Sequence, residues 1–342
     1  VSSHAVSSTA AVDSTSDLTI PMSLKFPSPA PQAQHTQPAT TNFPGLAAST
    51  ARPLSLRIGY DMQFEIFGPQ PTAMLLMLYV HPEIAPQLNG PERLVVEPAG
   101  IPIDTFVDCY GNRCGRIVAP PGALRLTHDA VYHSTYADEP QPPVGAQQHT
   151  PGDLPHEALQ YLLGSRYCEV DRLSSIAWDL FGKLSTGGAR ALAINDWVFR
   201  NIQFGYRLTR PNKTALDTYV ERTGVCRDMM HLAITFCRAL NIPSRYATGY
   251  LGDINADPDP TPMDFSAFYE VYLDGRWWPM DARHGKARVG RVLMARGRDA
   301  TDVALITSFG RHKLTKFTVV TDEIAAPQSM AAPSPMPFKL SA

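Results

Sequence analysis

Long apolar runs are missing from this 342-residue chain. The longest, Ala73 to Val80, is strand-sized, far short of the roughly 20 residues that cross a bilayer as a helix, so no membrane partner is expected. Cysteine is scarce: five residues at irregular spacing and no CxxC pair, which removes the usual signatures of a zinc site or a redox motif. In a chain of this length the reading is reduced thiols and a cytoplasmic protein, with Cys109 and Cys114 the one pair near enough in sequence to bridge in an oxidising compartment. Charge is also thin, 18% of residues with a net of -2, so nothing points to nucleic acid. No Gly-rich phosphate loop and no metal-ligand cluster stands out, so neither a cofactor nor a metal is expected. The N-terminus lacks a basic region followed by an apolar stretch, so no secretory leader is expected. Nothing in the sequence sets the oligomeric state.

What is present divides the chain. Residues 1–52 are rich in Ser, Ala, Thr and Pro, and only Asp13, Asp17 and Lys25 carry charge in the first fifty; such a segment buries too little to offset its ordering entropy and reads as a disordered tail. Residues 53–138 carry strand patterns separated by turn signals, at 56–66, 74–80, 94–97, 105–110, 114–118, 123–127 and 130–132, and read as a β-rich, sandwich-like domain. The Pro-rich stretch 139–155 reads as a linker. From 156 to 325 helices come first: Leu173, Ile176, Ala177, Leu180 and Phe181 make one stripe, and Leu192, Ile194, Trp197, Val198 and Ile202 another. Strands follow near 245–251, 265–273 and 277–280. Residues 326–342 read as a loose tail, and Pro258 to Pro262 as a stiff connector.

The chemistry centres on Cys226. Thr223-Gly-Val-Cys226 precedes a helical run to Leu240, and Met229, Met230, Ala233, Cys237 and Leu240 fall within about 60° of Cys226 on a helical wheel. The thiol then sits on the first turn, where unpaired backbone N–H groups favour thiolate and could hold an oxyanion, and Arg227 adds a positive charge. The bland alternative is a small buried residue. Cys237 reads as packing. His231 lies about 140° from Cys226 and reads as a surface or second-face residue. The aromatics of Asn201 to Tyr206 read as core. Of Trp277 and Trp278, one should be buried and the other could line a cleft.

Gly224-Val-Cys-Arg-Asp228, the helix end Cys237-Arg-Ala-Leu-Asn-Ile-Pro243, Arg245-Tyr-Ala-Thr-Gly-Tyr250, Asp264-Phe-Ser-Ala-Phe-Tyr-Glu-Val-Tyr272 and Gly275-Arg-Trp-Trp-Pro-Met-Asp281 together resemble the transglutaminase-like superfamily of bacterial proteins. The likeness runs from about Asp171 to Asp281. It implies an α+β class, a papain-like transglutaminase core preceded by a β-sandwich-like domain, and a Cys, His and Asp acting in acyl transfer or amide hydrolysis on peptide or protein substrates. The nucleophile falls on Cys226 and the carboxylate on Asp281.

The histidine falls on Ser266, within Ser266-Ala-Phe268 where the family has His-Ala-Trp. A serine hydroxyl cannot act as a base at neutral pH. Asp274-Gly275 is a two-residue hairpin signal, and counting outward pairs Leu273 with Arg276, Phe268 with Asp281 and Ser266 with Arg283, so that Ser266, Phe268 and Asp281 share a face. His284 is the spare imidazole. Strict alternation puts it on the opposite face unless the chain turns after Asp281, which Gly285 permits. Three outcomes stay open: His284 or another histidine supplies the base, Cys226 works slowly on its helix terminus alone, or the domain is a non-catalytic peptide- or protein-binding relative. The basic stretch Arg283, Lys286, Arg288, Arg291, Arg296 and Arg298 reads as a solvated loop or a surface for an acidic partner.

Overall fold

The computed structural model describes residues 52–256 and 263–325. The tails expected at 1–52 and 326–342, and the Pro258–Pro262 connector, lie outside the described residues apart from Arg52.

The first strand, β1 (Pro53–Ile66), alternates almost without fault: Leu54, Leu56, Ile58, Tyr60, Met62, Phe64 and Ile66 are all buried, the pattern of a strand with one face on a core. There follow β2 (Thr72–Leu76), β3 (Leu94–Glu97), β4 (Asp104–Val107), β5 (Arg113–Ala119) and β6 (Gly122–Thr135). The runs expected at 123–127 and 130–132 are one strand, because β6 pairs with β1 along its whole length, from Pro53↔Thr135 to Ile66↔Gly122.

The helices are α1 (His156–Leu159), α2 (Val170–Phe181), α3 (Gly188–Asn201), α4 (Ala215–Glu221) and α5 (Cys226–Ala239). Between them β7 (Gln203–Phe204) and β8 (Thr223–Gly224) form a two-stranded parallel pair. Thr214 caps α4, accepting the Asp217 N–H while the Asp217 carboxylate accepts the Thr214 N–H, which orients the α4 segment leading to Cys226. After α5 come β9 (Ser244–Tyr250), β10 (Ser266–Leu273), β11 (Arg276–Met280), β12 (Val292–Gly297), β13 (Ile306–Ser308) and β14 (His312–Ile324).

Two antiparallel sheets, ordered β14-β1-β6-β3 and β13-β2-β5-β4, enclose one core, and a third, β11-β10-β9-β12, backs the helices. β13 and β14 extend the N-terminal sheets, with Ser55 opposite Ile324, so the chain after about residue 305 belongs to the sandwich and not to the papain-like layer expected to run to 325. The presumed linker 139–155 packs along the core. Ala146 is buried and accepts the Gly188 N–H, and Gln148 donates to the Leu240 carbonyl at the end of α5.

α5 is the central element. From Asp228 to Ala239 every residue is buried, because α2, α3 and α4 pack on one side and β9 and β10 on the other. The β10–β11 hairpin turns at Asp274 and Gly275, both with positive φ (50° and 72°). This is the two-residue turn expected from the sequence, and Leu273 pairs with Arg276.

Candidate active site

The Gly-Val-Cys-Arg-Asp segment has a physical logic. Asp228, fully buried at the third position of α5, folds back so that its carboxylate accepts the Val225 N–H (3.1 Å) and the Thr209 hydroxyl (2.5 Å). A Cβ on Gly224 would lie 2.8 Å from the Asp228 Cβ, so only glycine leaves room for this cap. Val225 has no side-chain acceptor, so the cap is one-sided. It fixes the start of the helix and leaves the N–H groups of its first turn without partners inside the helix.

Cys226 opens that turn, half-buried, in the wall of a cleft of about 680 Å³. Tyr167, Tyr206, Tyr246, Thr248, Asp264 and Ala267 line it too, and Val303, Ala304 and Leu305, between β12 and β13, close it. Crowding of the sulfur is the largest influence on its ionisation and pushes the Cys226 thiol up. The Ala267 N–H and the Arg283 guanidinium pull it down, and the charges of Asp264 and Asp281 push it up again. The net direction is up, opposite to the pull toward thiolate expected from its helix position. Arg227 gives little help because its guanidinium is occupied by Asp228 (2.8 Å), Thr209 and the Arg210 carbonyl.

Ser266 is buried on β10 opposite Gly249, and among the described residues its hydroxyl makes only a long 3.5 Å contact to the Ala267 carbonyl. Ala267, Tyr269, Val271 and Leu273 pack into the core built on α5, whereas Phe268 packs with Ala247 and Leu293. Alternation thus assigns Ser266 to the Phe268 face, while the Ala267 backbone meets the Cys226 sulfur.

Asp281, just past β11, is 98% buried and fully engaged. Its Oδ1 accepts the N–H groups of Arg283 (2.9 Å) and His284 (3.0 Å); its Oδ2 meets His284 Nδ1 at 2.9 Å and Arg291 at 2.8 Å. Burial alone would raise this carboxyl, but His284 and Arg291 outweigh it and hold it well below the usual range. The chain turns after Asp281 through Gly285 (φ 64°), which brings His284 to Asp281 as the turned geometry requires. Cys226 and Asp281 lie within electrostatic reach of each other. Among the described residues lining the cleft there is no histidine, and neither Ser266, Asp281 nor His284 is on its wall.

Several other readings need correction. His231 is no surface residue: its ring is buried between Tyr167 (centroids 4.9 Å, 7° apart) and Tyr246 (5.1 Å), since a helix enclosed on every side has no solvent face. The basic stretch is not a solvated loop. Arg291 joins Asp281 to Glu139, Arg296 joins Glu270, Arg298 joins Asp302, and Arg288 is buried against the Gly252 carbonyl. Tyr206 is 45% exposed and lines the cleft instead of filling the core. Trp278 is buried, while Trp277 packs on Tyr161 and Tyr272, away from the cleft wall. All five cysteines are free. Asp264 and Arg291 were not assigned to the site; their sequence signals were a carboxylate two residues before Ser266 and one arginine of the basic stretch, ten residues past Asp281.

Residues 175–282 match the sequence profile described as Transglutaminase-like superfamily. A crystal structure of a candidate cysteine protease from Cytophaga hutchinsonii is 30% identical and superposes with a TM-score of 0.69, covering 82% of this chain and 93% of that one. The chain belongs to the transglutaminase-like superfamily. The shared length takes in the β-rich N-terminal region as well as the papain-like core. Uncharacterized protein ML0607 of Mycobacterium leprae (strain TN) is 29% identical over 110 residues, which is 32% of this chain and 39% of that protein.

Proposed function

We propose that this transglutaminase-like chain carries out thiol-dependent acyl transfer on peptide or protein amides, with water or an amine as acceptor, through Cys226. The observation that carries the reading is the Cys226 thiol at the capped start of α5, open to a cleft large enough for several residues of peptide. The likeness to a candidate cysteine protease over most of both chains supports it.

In this reading the Cys226 sulfur attacks the amide carbonyl and the N–H groups of the first turn of α5 receive the developing oxyanion; the C–N bond then breaks, the amine or ammonia leaves with the proton given up by the thiol, and water or an amine takes the acyl group from sulfur. The thiol proton must leave first, and no imidazole stands on the described cleft wall. His284, oriented by Asp281, is the imidazole nearest in design to the superfamily's arrangement, and it acts only if it reaches past that wall. Without positioned proton transfer the rate falls by about 10²–10⁴, so Cys226 acting on its helix terminus alone makes a slow enzyme.

A second reading, a peptide-binding module without turnover, is favoured by Ser266 standing where a base is required and by the upward push on the Cys226 thiol. Ammonia release from a glutamine peptide and cleavage of a peptide panel, measured for wild type, Cys226→Ala, His284→Ala and Ser266→His, separate the two. Turnover lost in Cys226→Ala supports the enzyme, and loss in His284→Ala as well assigns the base. No turnover in wild type, with binding of the same peptides retained, supports the module. Activity appearing only in Ser266→His shows an intact site lacking its base.

A further inference from the structure

We propose that Asp264 selects ligands that carry a positive charge beside the amide presented to Cys226. The proposal rests on the reading of Cys226 as the group that meets the substrate, and it adds a residue that decides which substrate is met.

Asp264 and Arg227 are the two charged residues among the described lining of the cleft. Arg227 is neutralised in place by Asp228. Asp264 is an exposed residue whose carboxyl burial pushes up and the Arg283 charge pulls down, and its one described hydrogen bond is from the N–H of the next residue, Phe265, to Oδ1 (2.6 Å). The remaining walls are tyrosine, Phe265, threonine and aliphatic side chains. Among the described residues, a ligand entering the cleft therefore meets an otherwise neutral lining and one carboxylate, within electrostatic reach of the sulfur and with Arg283 acting on both from behind the lining.

The same carboxylate acts on that sulfur. Cys226 feels Asp264 and Asp281 pushing its thiol up and Arg283 pulling it down, with the Arg227–Asp228 pair and Tyr246 as the other charged or titratable groups around it. A cation docked on Asp264 cancels one of the two opposing negative charges. Recognition and activation are then coupled: the thiol loses its proton more readily once a cationic ligand is in place than in the empty cleft.

The test uses the full chain and two methanethiosulfonate reagents of similar size, a cationic trimethylammonium-ethyl and an anionic sulfonatoethyl reagent. Their rates of reaction at Cys226 are followed by peptide mass spectrometry, with the exposed Cys109 as reference in the same molecule. The expected result is a cation-over-anion rate ratio at Cys226 that falls about three- to tenfold in Asp264→Asn and further in Asp264→Lys, while the ratio at Cys109 stays put. The pH at which iodoacetamide reacts half-maximally with Cys226 should also fall in Asp264→Asn. An unchanged ratio at Cys226 in both variants overturns the proposal. Peptides with lysine or glutamate beside the reacting amide provide the separate arm. If neither is turned over while the reagent ratio shifts as expected, the catalytic reading fails and charge selection by Asp264 stands.

Discussion

Glu92 and His128 face each other inside the β-sandwich, Oε1 to Nε2 3.4 Å, with side chains 2% and 0% exposed. Burial pushes the Glu92 carboxyl up to about 7 and the His128 imidazole down to about 4. Between their ordinary values of 4.5 and 6.5, the unfolded chain therefore holds one proton, on the histidine, and the folded chain also holds one, on the glutamate. With no net proton exchange on unfolding, the pair contributes no pH dependence across that window. Single substitutions unmask opposite slopes. Glu92→Gln keeps an acceptor for the Val80 N–H (2.7 Å in the native chain) and leaves His128, whose lowered value gives stability that is present above pH 6.5 and lost as pH falls through 4. His128→Asn leaves Glu92, whose raised value gives stability that is present below pH 4.5 and lost as pH rises through 7. At about 1.4 kcal/mol per pH unit, each slope amounts to about 3 kcal/mol end to end. Urea unfolding at pH 4.5, 5.5 and 6.5 measures it, each variant read as its difference from wild type so that other carboxylates cancel. The Glu92→Gln difference should become more favourable with rising pH and the His128→Asn difference less favourable. Two differences flat to within about 1 kcal/mol would refute the inverted ionisation.

The other predictions concern the site. Arg291→Met strips a partner from the buried Asp281 and from Glu139, and should cost about 3–5 kcal/mol in unfolding free energy, with much less further loss when Asp281→Asn is added. Gly285→Ala puts a Cβ about 2.7 Å from the Phe199 ring at φ 64°; a loss of about 1–3 kcal/mol in thermal unfolding is expected, partly recovered by Phe199→Ala. Because its thiol is pushed up, Cys226 should react with iodoacetamide at pH 7 more slowly than the exposed Cys109, and its rate should still be climbing above pH 9; a plateau below pH 7 would show that the helix terminus prevails after all.

The elements that the sequence makes legible are those with local causes. The α5 helix, its Cys226 start and the Asp274–Gly275 turn follow from a glycine that admits a cap, a period of 3.6 and a turn that tolerates positive φ. β12, β13 and β14 are not legible, since nothing near Ile324 announces that its partner is Ser55, some 270 residues earlier; only the shared core of the sandwich decides that pairing. His231 was misplaced because a wheel shows where the apolar stripe is, not whether polar positions also face protein. Tyr246 and Tyr167 come to it from β9 and from the turn before α2. The basic stretch was misread for the same reason: the carboxylates that claim Arg291, Arg296 and Arg298 (Glu139, Asp281, Glu83, Glu270 and Asp302) arrive from five different segments.

Asp281 and Cys226, the two residues on which the sequence resemblance puts the carboxylate and the thiol, differ in what else they do. Asp281 accepts four hydrogen bonds, holds the turn after β11 through two of them, and is one end of a buried ion chain running through Arg291 to Glu139. Those duties would hold an aspartate here in a domain with no chemistry at all, so its presence says little about turnover. Cys226 has no such employment. Its side chain completes no ion pair, its helix is capped by Asp228 without it, and a serine or alanine would fill the same half-buried place in the cleft wall. The functional argument therefore rests on the thiol more than on the carboxylate, and a thiol that is pushed up and faces a carboxylate at Asp264 is one whose reactivity depends on what else occupies the cleft.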